Sequence, residues 1–517
     1  MDQLCIPGHK PFSDLHRYGR KVQLSVQSSV SQSKTKVLFA ASEAAPLVKV
    51  GGLGDVAGSL PYALKNLPSH VTNPIDIRIV LPFHQSLRKK YSSPKEIAIF
   101  NIPHIDGPIN AAAYELTLNG LTYYLIDGEP IQYSSDVYST DLAQDAQKYV
   151  FFSLAILEMA RQIKWIPDIL HANDWHVSAA IYAMHTSRRF TADFFNTRSV
   201  LSIHNLPFMG ATAESALQDF NLAQCNDSRL PEWGCKQPLP LAILTANHIV
   251  TVSPTYAQEI LTPKFGCGLE SILTSRKENV SGILNGLDVE TWNPATDQAL
   301  PVQYSWDSLD IRKINKTALQ QEFSFPSDPE IPLLIVISRL FHQKGIDMVV
   351  DGLRRIIDLP WQAVILGTGE PELEQDCRQM EIDFPERVRA VIKFDLSLSQ
   401  RMYGGADMLL MPSRYEPCGL SQMIAMRYGC VPIARATGGL KDTIKDNPRK
   451  ILANSGFLFT KESGKELAKT IKRALITFQD KDLWQKIQFN GMRQDFSWTR
   501  SAMQYASIYQ NLRKDVV

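Results

Sequence analysis

S-R-L-F-H-Q-K-G (Ser338 to Gly345), L-G-T-G-E-P-E (Leu366 to Glu372), P-S-R-Y-E-P-C-G-L (Pro412 to Leu420) and T-G-G-L (Thr437 to Leu440) decide how this chain folds. Each follows an apolar run of strand length and precedes a helix-like pattern, the place where an open parallel sheet gathers its ligand-binding loops. Gly-rich turns there aim backbone N–H groups at anions, and Arg339 and Lys344 add two fixed positive charges. The stretch reads as a site for a diphosphate-bearing ligand. Gly367 and Gly369 suggest a dinucleotide fingerprint, but Glu372 stands where its third glycine belongs, so nicotinamide chemistry is disfavoured.

Outward from this stretch, 517 residues are too many for one core, so two or more domains are expected. A charged fraction of 21% with net charge +1 gives no reason to expect nucleic acid or an anionic membrane. Seven cysteines without a C-x-x-C pair argue against a disulfide framework or a zinc site and favour a reducing compartment. No apolar run approaches the ~18 residues that span a bilayer. Residues 1–34 are polar and Ser-rich, which suggests a disordered extension, with a short organellar transit peptide as the alternative.

Toward the N-terminus, Lys36 to Ala41 is strand-like and runs into S-E-A-A-P-L-V-K-V-G-G-L-G-D-V. Lys49, Gly51, Gly52 and Gly54 form a turn there, Asp55 is a plausible N-cap for the following helix, and Pro61 should bend that helix. Ile75 to Pro82 and Leu121 to Asp127 are strand-like, and apolar spacing from Asp145 to Ile163 describes an amphipathic helix. P-D-I-L-H-A-N-D-W-H ends a buried strand on His171, Asn173, Asp174, Trp175 and His176, a cluster that favours a site over core histidines. His171 and His176 raise a metal reading, but no third ligand is evident. His204 closes the next strand, Ser199 to Ile203; Leu239 to Asn247 is helical and His248 to Pro254 a strand with a turn. G-I-L-N-G-L-D (Gly282 to Asp288) leads into V-E-T-W-N-P-A-T-D, where the pattern changes at Trp292 and Pro294, the linker candidate, and the pattern restarts at Pro332. G-G-L occurs in both halves, at Gly51 and at Gly438, an echo that two doubly wound α/β domains facing each other across a cleft explain.

Lys49 from one half and Arg339 with Lys344 from the other would then converge on a ligand bearing two or three negative charges. If the diphosphate is a leaving group, its charge grows as the bond breaks and the cations stabilise the transition state. Glu416, the carboxylate of P-S-R-Y-E-P-C-G-L, follows a strand and is suited to accept hydrogen bonds from sugar hydroxyls. Cys418 has no evident base and is expected to pack rather than react.

K-V-G-G-L-G-D-V, V-T-V-S-P-T-Y-A-Q-E-I, G-I-L-N-G-L-D, W-N-P-A-T-D, S-R-L-F-H-Q-K-G, P-S-R-Y-E-P-C-G-L, R-A-T-G-G-L-K-D-T and D-F-S-W together resemble the bacterial-type glycogen and starch synthases, from about Lys36 to the C-terminus. The resemblance implies the GT-B fold and retaining transfer of glucose from a nucleotide sugar, usually ADP-glucose, to the non-reducing 4-hydroxyl of an α-1,4-glucan or maltooligosaccharide. It implies an N-terminal Rossmann-like domain over 35–288, a nucleotide-sugar domain over 289–496, and a C-terminal helix over 497–517 that crosses back. It also places Glu416 beside the donor glucose, His204 near the anomeric centre and Asp174 in the strand-end cluster. Lys49, Gly51, Gly52 and Asp55 fall in the family's donor loop, Asn285 in the asparagine-glycine turn at the cleft, and Arg339 with Lys344 on the diphosphate. Gly367, Gly369, Cys418, Gly419 and Leu420 fall in the loops around the donor, and Thr437, Gly438 and Gly439 by its glucosyl or distal phosphate groups. No metal or other cofactor is expected, oligomeric state stays open, and the location implied is cytoplasmic, or the plastid stroma if the extension is a transit peptide. Phe208, Met209, Asn173 and Leu239 to Asn247 depart from the family pattern on the acceptor side. The alternatives are a glucan-binding homologue without turnover, and a phosphorylase-like enzyme carrying a lysine-bound pyridoxal.

Overall fold

Each apolar run read above as a strand is one in a computed structural model, which describes residues 34–91, 93–134 and 136–514. The first sheet contains β1 (Thr35–Ala40), β2 (Ile75–Pro82), β3 (Lys95–Ile102), β4 (Ile109–Leu118), β5 (Leu121–Gly128), β6 (Ile169–Asn173), β7 (Arg198–Ile203), β8 (His248–Thr251) and β9 (Val280–Gly282). Their order is β3-β4-β5-β2-β1-β6-β7-β8-β9. The second sheet contains β10 (Leu333–Ile337), β11 (Gln362–Leu366), β12 (Val388–Val391), β13 (Met408–Met411), β14 (Val431–Arg435) and β15 (Phe457–Phe459), ordered β12-β11-β10-β13-β14-β15. All of its pairings are parallel. Both are open α/β sheets of the doubly wound kind. Their central strands are apolar because helices cover both faces: Val37 to Ala40 and Ile169 to Asn173 are buried throughout.

Order reverses between β1 and β6 in one sheet and between β10 and β13 in the other. Loops leaving adjacent strands at such a point run to opposite faces and leave a crevice at the strands' C-terminal ends. The four loops are those of Glu43 to Gly52, Asp174, Arg339 to Lys344, and Ser413 to Glu416. Topology thus explains why the distinctive motifs follow these strands.

Three features depart from the sequence reading. β3 and β4 extend the first sheet by antiparallel pairing; they form an edge with one open face, and Ile99 on it is exposed, so their apolar signal was weak. Asp55 is not an N-cap: the helix Gly52–Lys65 begins after Gly51, and Asp55 sits within its first turn. Pro61 lies inside that helix, where the sequence reading put it. The helix Leu142–Gln162, capped by the Asp141 side chain, is buried round most of its circumference rather than along one stripe.

After β9 the chain leaves the first sheet, and its way out and its way back are bonded together. Leu287 N donates to Phe496 O (2.7 Å), and Ser501 Oγ to Leu284 O (2.5 Å). The last helix, Trp498–Lys514, packs Trp498, Ala502, Tyr505 and Tyr509 into the apolar layer beneath β1 and β2. The extension expected over 1–34 lies, but for Lys34, outside the described residues.

Candidate active site

A cavity of about 720 Å³ opens between the two sets of strand ends. Of the residues singled out above, Gly51, Gly52, Asp174, His204, Asn285, Arg339, Lys344, Glu416, Cys418, Gly419 and Leu420 line it. Lys49, Asp55, Gly367, Gly369, Thr437, Gly438 and Gly439 do not.

The displaced residues have local reasons. Lys49 Nζ pairs with Asp55 Oδ1 at 2.7 Å, in the first turn of the adjoining helix, so its charge is met there and it does not line the cavity with Arg339 and Lys344. A Cβ on Gly367 would stand 1.9 Å from the Ser338 carbonyl, and one on Gly369 2.2 Å from that of Leu340. These glycines let their loop lie flat on the strand end that presents Arg339. The Thr437 hydroxyl and the Gly438 amide are engaged by the Glu259 carboxylate.

The Gly-rich turn after β1 is built on a carboxylate that the sequence reading passed over. Glu43 is almost fully buried and accepts hydrogen bonds from the Val50 amide, the Gly51 amide (3.0 Å) and the Tyr138 hydroxyl (2.8 Å). Gly51 therefore turns its amide to Glu43. A Cβ on Gly54 would meet Glu43 Oε2 at 2.8 Å, whereas one on Gly52 would meet nothing within 4 Å. Gly54 is a packing glycine, and Gly52 faces open cavity. The signal for Glu43 was present: a carboxylate within three residues of a buried strand's C-terminal end.

On the opposite wall Lys344 Nζ lies 2.6 Å from Glu416 Oε2, which also accepts from Ser413 Oγ (3.0 Å). Arg339 stacks its guanidinium 5.0 Å from the Phe341 ring centroid and, among the described residues, has no carboxylate within ion-pair distance. The loop positions Lys344 through Gly345, whose positive φ of 71° starts the helix Ile346–Arg354.

Between these walls lie polar groups detuned by burial. Asp174 holds a positive φ of 54° at the start of the helix Trp175–Thr186, and its Oδ1 accepts from the His204 amide at 2.7 Å. Burial pushes its carboxyl up to about 7, even though the backbone amides of His204 and Asn205 favour the charged form. Burial pulls His204 down to about 4, so its imidazole is neutral at neutral pH. Asn173 gives its amide nitrogen to the Ala40 carbonyl (2.9 Å), which leaves its oxygen to accept from His204 Nε2 (3.0 Å). Nε2 thus carries the proton and Nδ1 is an acceptor. His176 Nδ1, Asn205 Oδ1 and Asn285 Oδ1 are buried without a partner among the described residues, and all three residues line the cavity. Unpaired buried polar atoms around an open space suit a ligand rich in hydroxyls. The Cys418 thiol is pushed up to about 12, first by burial, so it carries its proton and is no nucleophile.

His171 belongs to the core instead. Its ring nitrogens face Tyr509 Oη (2.6 Å) and Ser202 Oγ (2.7 Å), tying the last helix to the first sheet. Among the described residues, no three His, Cys, Asp or Glu side chains group as metal ligands do, and no helix is long and apolar enough to cross a membrane.

Residues 36–275 match the family described as starch synthase catalytic domain, and residues 318–485 match glycosyl transferases group 1. A glycogen synthase of Clostridium perfringens is 37% identical over 487 residues, covering 93% of this chain and 98% of that protein. One of Anoxybacillus flavithermus is 38% identical over 485 residues, covering 92% and 98%. The chain belongs to the glycogen synthase family. The solved catalytic domain of starch synthase IV from Arabidopsis thaliana, bound to ADP and acarbose, superposes with a TM-score of 0.83 at 30% identity, covering 93% of this chain and 100% of that one. A sucrose-phosphate synthase from Thermosynechococcus elongatus, 17% identical with a TM-score of 0.58, shares the fold alone. As a glycogen synthase family member with two parallel-sheet domains, the chain is a GT-B glucosyltransferase of the glycogen and starch synthase type.

Proposed function

We propose that the cavity binds ADP-glucose and passes its glucosyl group, with retention of configuration, to the non-reducing 4-hydroxyl of an α-1,4-glucan. The observation that carries this reading is the Arg339 guanidinium, which lines the cavity beside the Lys344–Glu416 pair and, among the described residues, has no carboxylate within ion-pair distance. An exposed guanidinium at the cavity wall with no protein counter-ion among the described residues is open to an anion, and a sugar nucleotide supplies one joined to hydroxyls. The relative bound to ADP and acarbose supports the same pairing of ligands.

In this reading Arg339 and Lys344 hold the diphosphate. As the glucosyl C1–O bond lengthens, negative charge collects on the departing phosphate and the fixed cations stabilise it more than the ground state. The acceptor hydroxyl attacks from the face the nucleotide leaves and gives its proton to the leaving phosphate. Glu416 accepts hydrogen bonds from donor hydroxyls and shares Lys344 with the phosphate. Asp174 holds the His204 backbone, which sets the neutral imidazole beside the anomeric centre. The open Gly52 position and the Cys418–Leu420 backbone admit the donor closely, and Asn285 offers its unpaired oxygen to a hydroxyl. Lys49 joins the diphosphate by leaving Asp55 as the halves close. In this reading the reaction draws on no metal and no further cofactor, and it takes place in the cytoplasm.

Incubation with ADP-glucose or UDP-glucose and a maltooligosaccharide primer tests this. The expected result is α-1,4 elongation with ADP-glucose preferred and full loss of activity in Arg339→Ala. No elongation with either donor, or an unaffected Arg339→Ala, refutes it.

A further inference from the structure

Two of the runs that carried the family resemblance, V-T-V-S-P-T-Y-A-Q-E-I and R-A-T-G-G-L-K-D-T, line no part of the cavity at their centres; they grip each other. The first forms the helix Pro254–Glu259 in the N-terminal half and the second the helix Gly438–Thr443 in the C-terminal half. The Thr255 amide and hydroxyl donate to the Asp442 carboxylate at 2.8 and 2.7 Å. In return, the Thr437 hydroxyl and the Gly438 amide donate to Glu259 Oε1 at 2.8 and 3.1 Å. Each half thus supplies a carboxylate to the first turn of the other's helix, where backbone N–H groups lack intrahelical partners.

The contact reaches the cavity through backbone. Gly439 N donates to the Glu416 carbonyl at 3.1 Å. A Cβ on Gly438 would stand 2.0 Å from the Glu416 carbonyl oxygen, and one on Gly439 2.0 Å from that of Cys418. Gly438 and Gly439 therefore have no side chain because they lie directly on the Glu416–Cys418 backbone. From the first half, Ser253 Oγ donates to Pro417 O (2.5 Å) within the same segment. A continuous path runs from Glu259 through Thr437 and the glycine pair to the residue whose side chain meets Lys344.

We infer that Glu259 is a positioning residue for the transfer: it holds Thr437 to Gly439, and through them the backbone that aims Glu416 into the cavity. The Glu416 carboxylate is then correctly set only while the two halves are engaged, which couples catalytic geometry to their contact. The inference rests on the role proposed above for Glu416. Glu259 works through one oxygen, since its Oε2 is buried and has no partner among the described residues. A glutamine can keep the acceptor, and an alanine cannot.

The test uses the full chain with Glu259→Ala, Glu259→Gln and Thr437→Val, measuring kcat and KM with the nucleotide-sugar donor, and ADP affinity by calorimetry. Misplacement of a catalytic group by a fraction of its contact distance lowers kcat about ten- to a hundredfold, the effect expected for Glu259→Ala. ADP affinity should stay within about twofold, because Arg339 and Lys344 sit on loops this contact does not hold. Glu259→Gln should recover most of the loss, and Thr437→Val should add nothing to Glu259→Ala. Unchanged kcat in Glu259→Ala, equal damage in Glu259→Gln, or a parallel fall of kcat and ADP affinity overturns the inference. If Glu259→Ala does not fold, Thr437→Val alone carries the test: it should lower kcat without weakening ADP. Glu416→Gln separates the two readings: wild-type kcat there refutes the role of Glu416, whereas a slow Glu416→Gln beside a wild-type Glu259→Ala refutes only that of Glu259.

Discussion

Gly52→Ala asks whether the turn after β1 lacks side chains for packing or for a ligand. A methyl group at Gly52 meets no protein atom within 4 Å, and the residue does not have positive φ, so the protein accommodates it. Alanine at the first position of the helix Gly52–Lys65 also restricts the unfolded chain, which favours folding by about 0.4–1 kcal/mol. The methyl projects into the space assigned to the donor, and crowding of a packed site costs about 1–3 kcal/mol. At RT of about 0.6 kcal/mol that is a loss of about five- to 150-fold in kcat/KM for ADP-glucose. Gly54→Ala is the contrast, because its Cβ would stand 2.8 Å from Glu43 Oε2 and 3.2 Å from the Lys49 Cα, a backbone atom that cannot give way. Thermal denaturation and steady-state kinetics on both variants separate the cases: Gly52→Ala should be at least as stable as wild type and slow, Gly54→Ala less stable. A Gly52→Ala enzyme with unaltered kcat/KM refutes the placement of the donor against this turn.

Lys344→Ala removes a cation from the diphosphate and leaves the buried Glu416 carboxylate with Ser413 as its remaining side-chain partner. Each charge-assisted hydrogen bond contributes about 1.5–3 kcal/mol, so ADP affinity should fall about ten- to a hundredfold by calorimetry; retained affinity contradicts the assignment. Asp174 gives a pH signature: its folded value near 7 exceeds the ordinary 3.8, so the native state holds the proton longer than the unfolded chain. Its contribution is present at low pH and lost as pH rises from about 4 through about 7. Denaturation of wild type and Asp174→Asn across that window should show wild type losing stability relative to the variant as pH rises, and a constant difference counts against it. A chelator should leave turnover unchanged, and activity restored only by added divalent metal would require a different account of the leaving group. Tyr509→Phe strips one ring nitrogen of His171 of its partner, which costs about 1–3 kcal/mol of stability on denaturant titration without altering KM for the donor; full stability contradicts that tie.

The central strands were legible because strands buried on both faces are continuous apolar runs, and the motifs at their ends marked the binding side. The antiparallel pair β3 and β4 was not legible, since an edge with one open face alternates weakly and resembles loop. Arg339, Lys344 and Glu416 could be grouped from sequence because each lies within a few residues of a strand end in the same sheet. Glu43 escaped notice through its setting among alanines, and the pairing of Lys49 with Asp55, six residues on, was not read from the motif. Thr437, Gly438 and Gly439 show the limit most clearly. A glycine pair before a helix has the same sequence whether it faces a phosphate or another stretch of backbone.

Local pattern alone therefore determined the two doubly wound sheets, the end of each sheet that binds, and the positive character of one wall, because periodicity and strand-end chemistry are properties of neighbours in the chain. Tertiary structure decided which charges are paired and which are free, that Asp174 keeps its proton toward pH 7, and that Glu259 and Asp442 are exchanged between halves. Those depend on burial and on contacts between residues some 180 positions apart, the 179 between Glu259 and Gly438 among them, and such distances leave no trace in a local run of sequence.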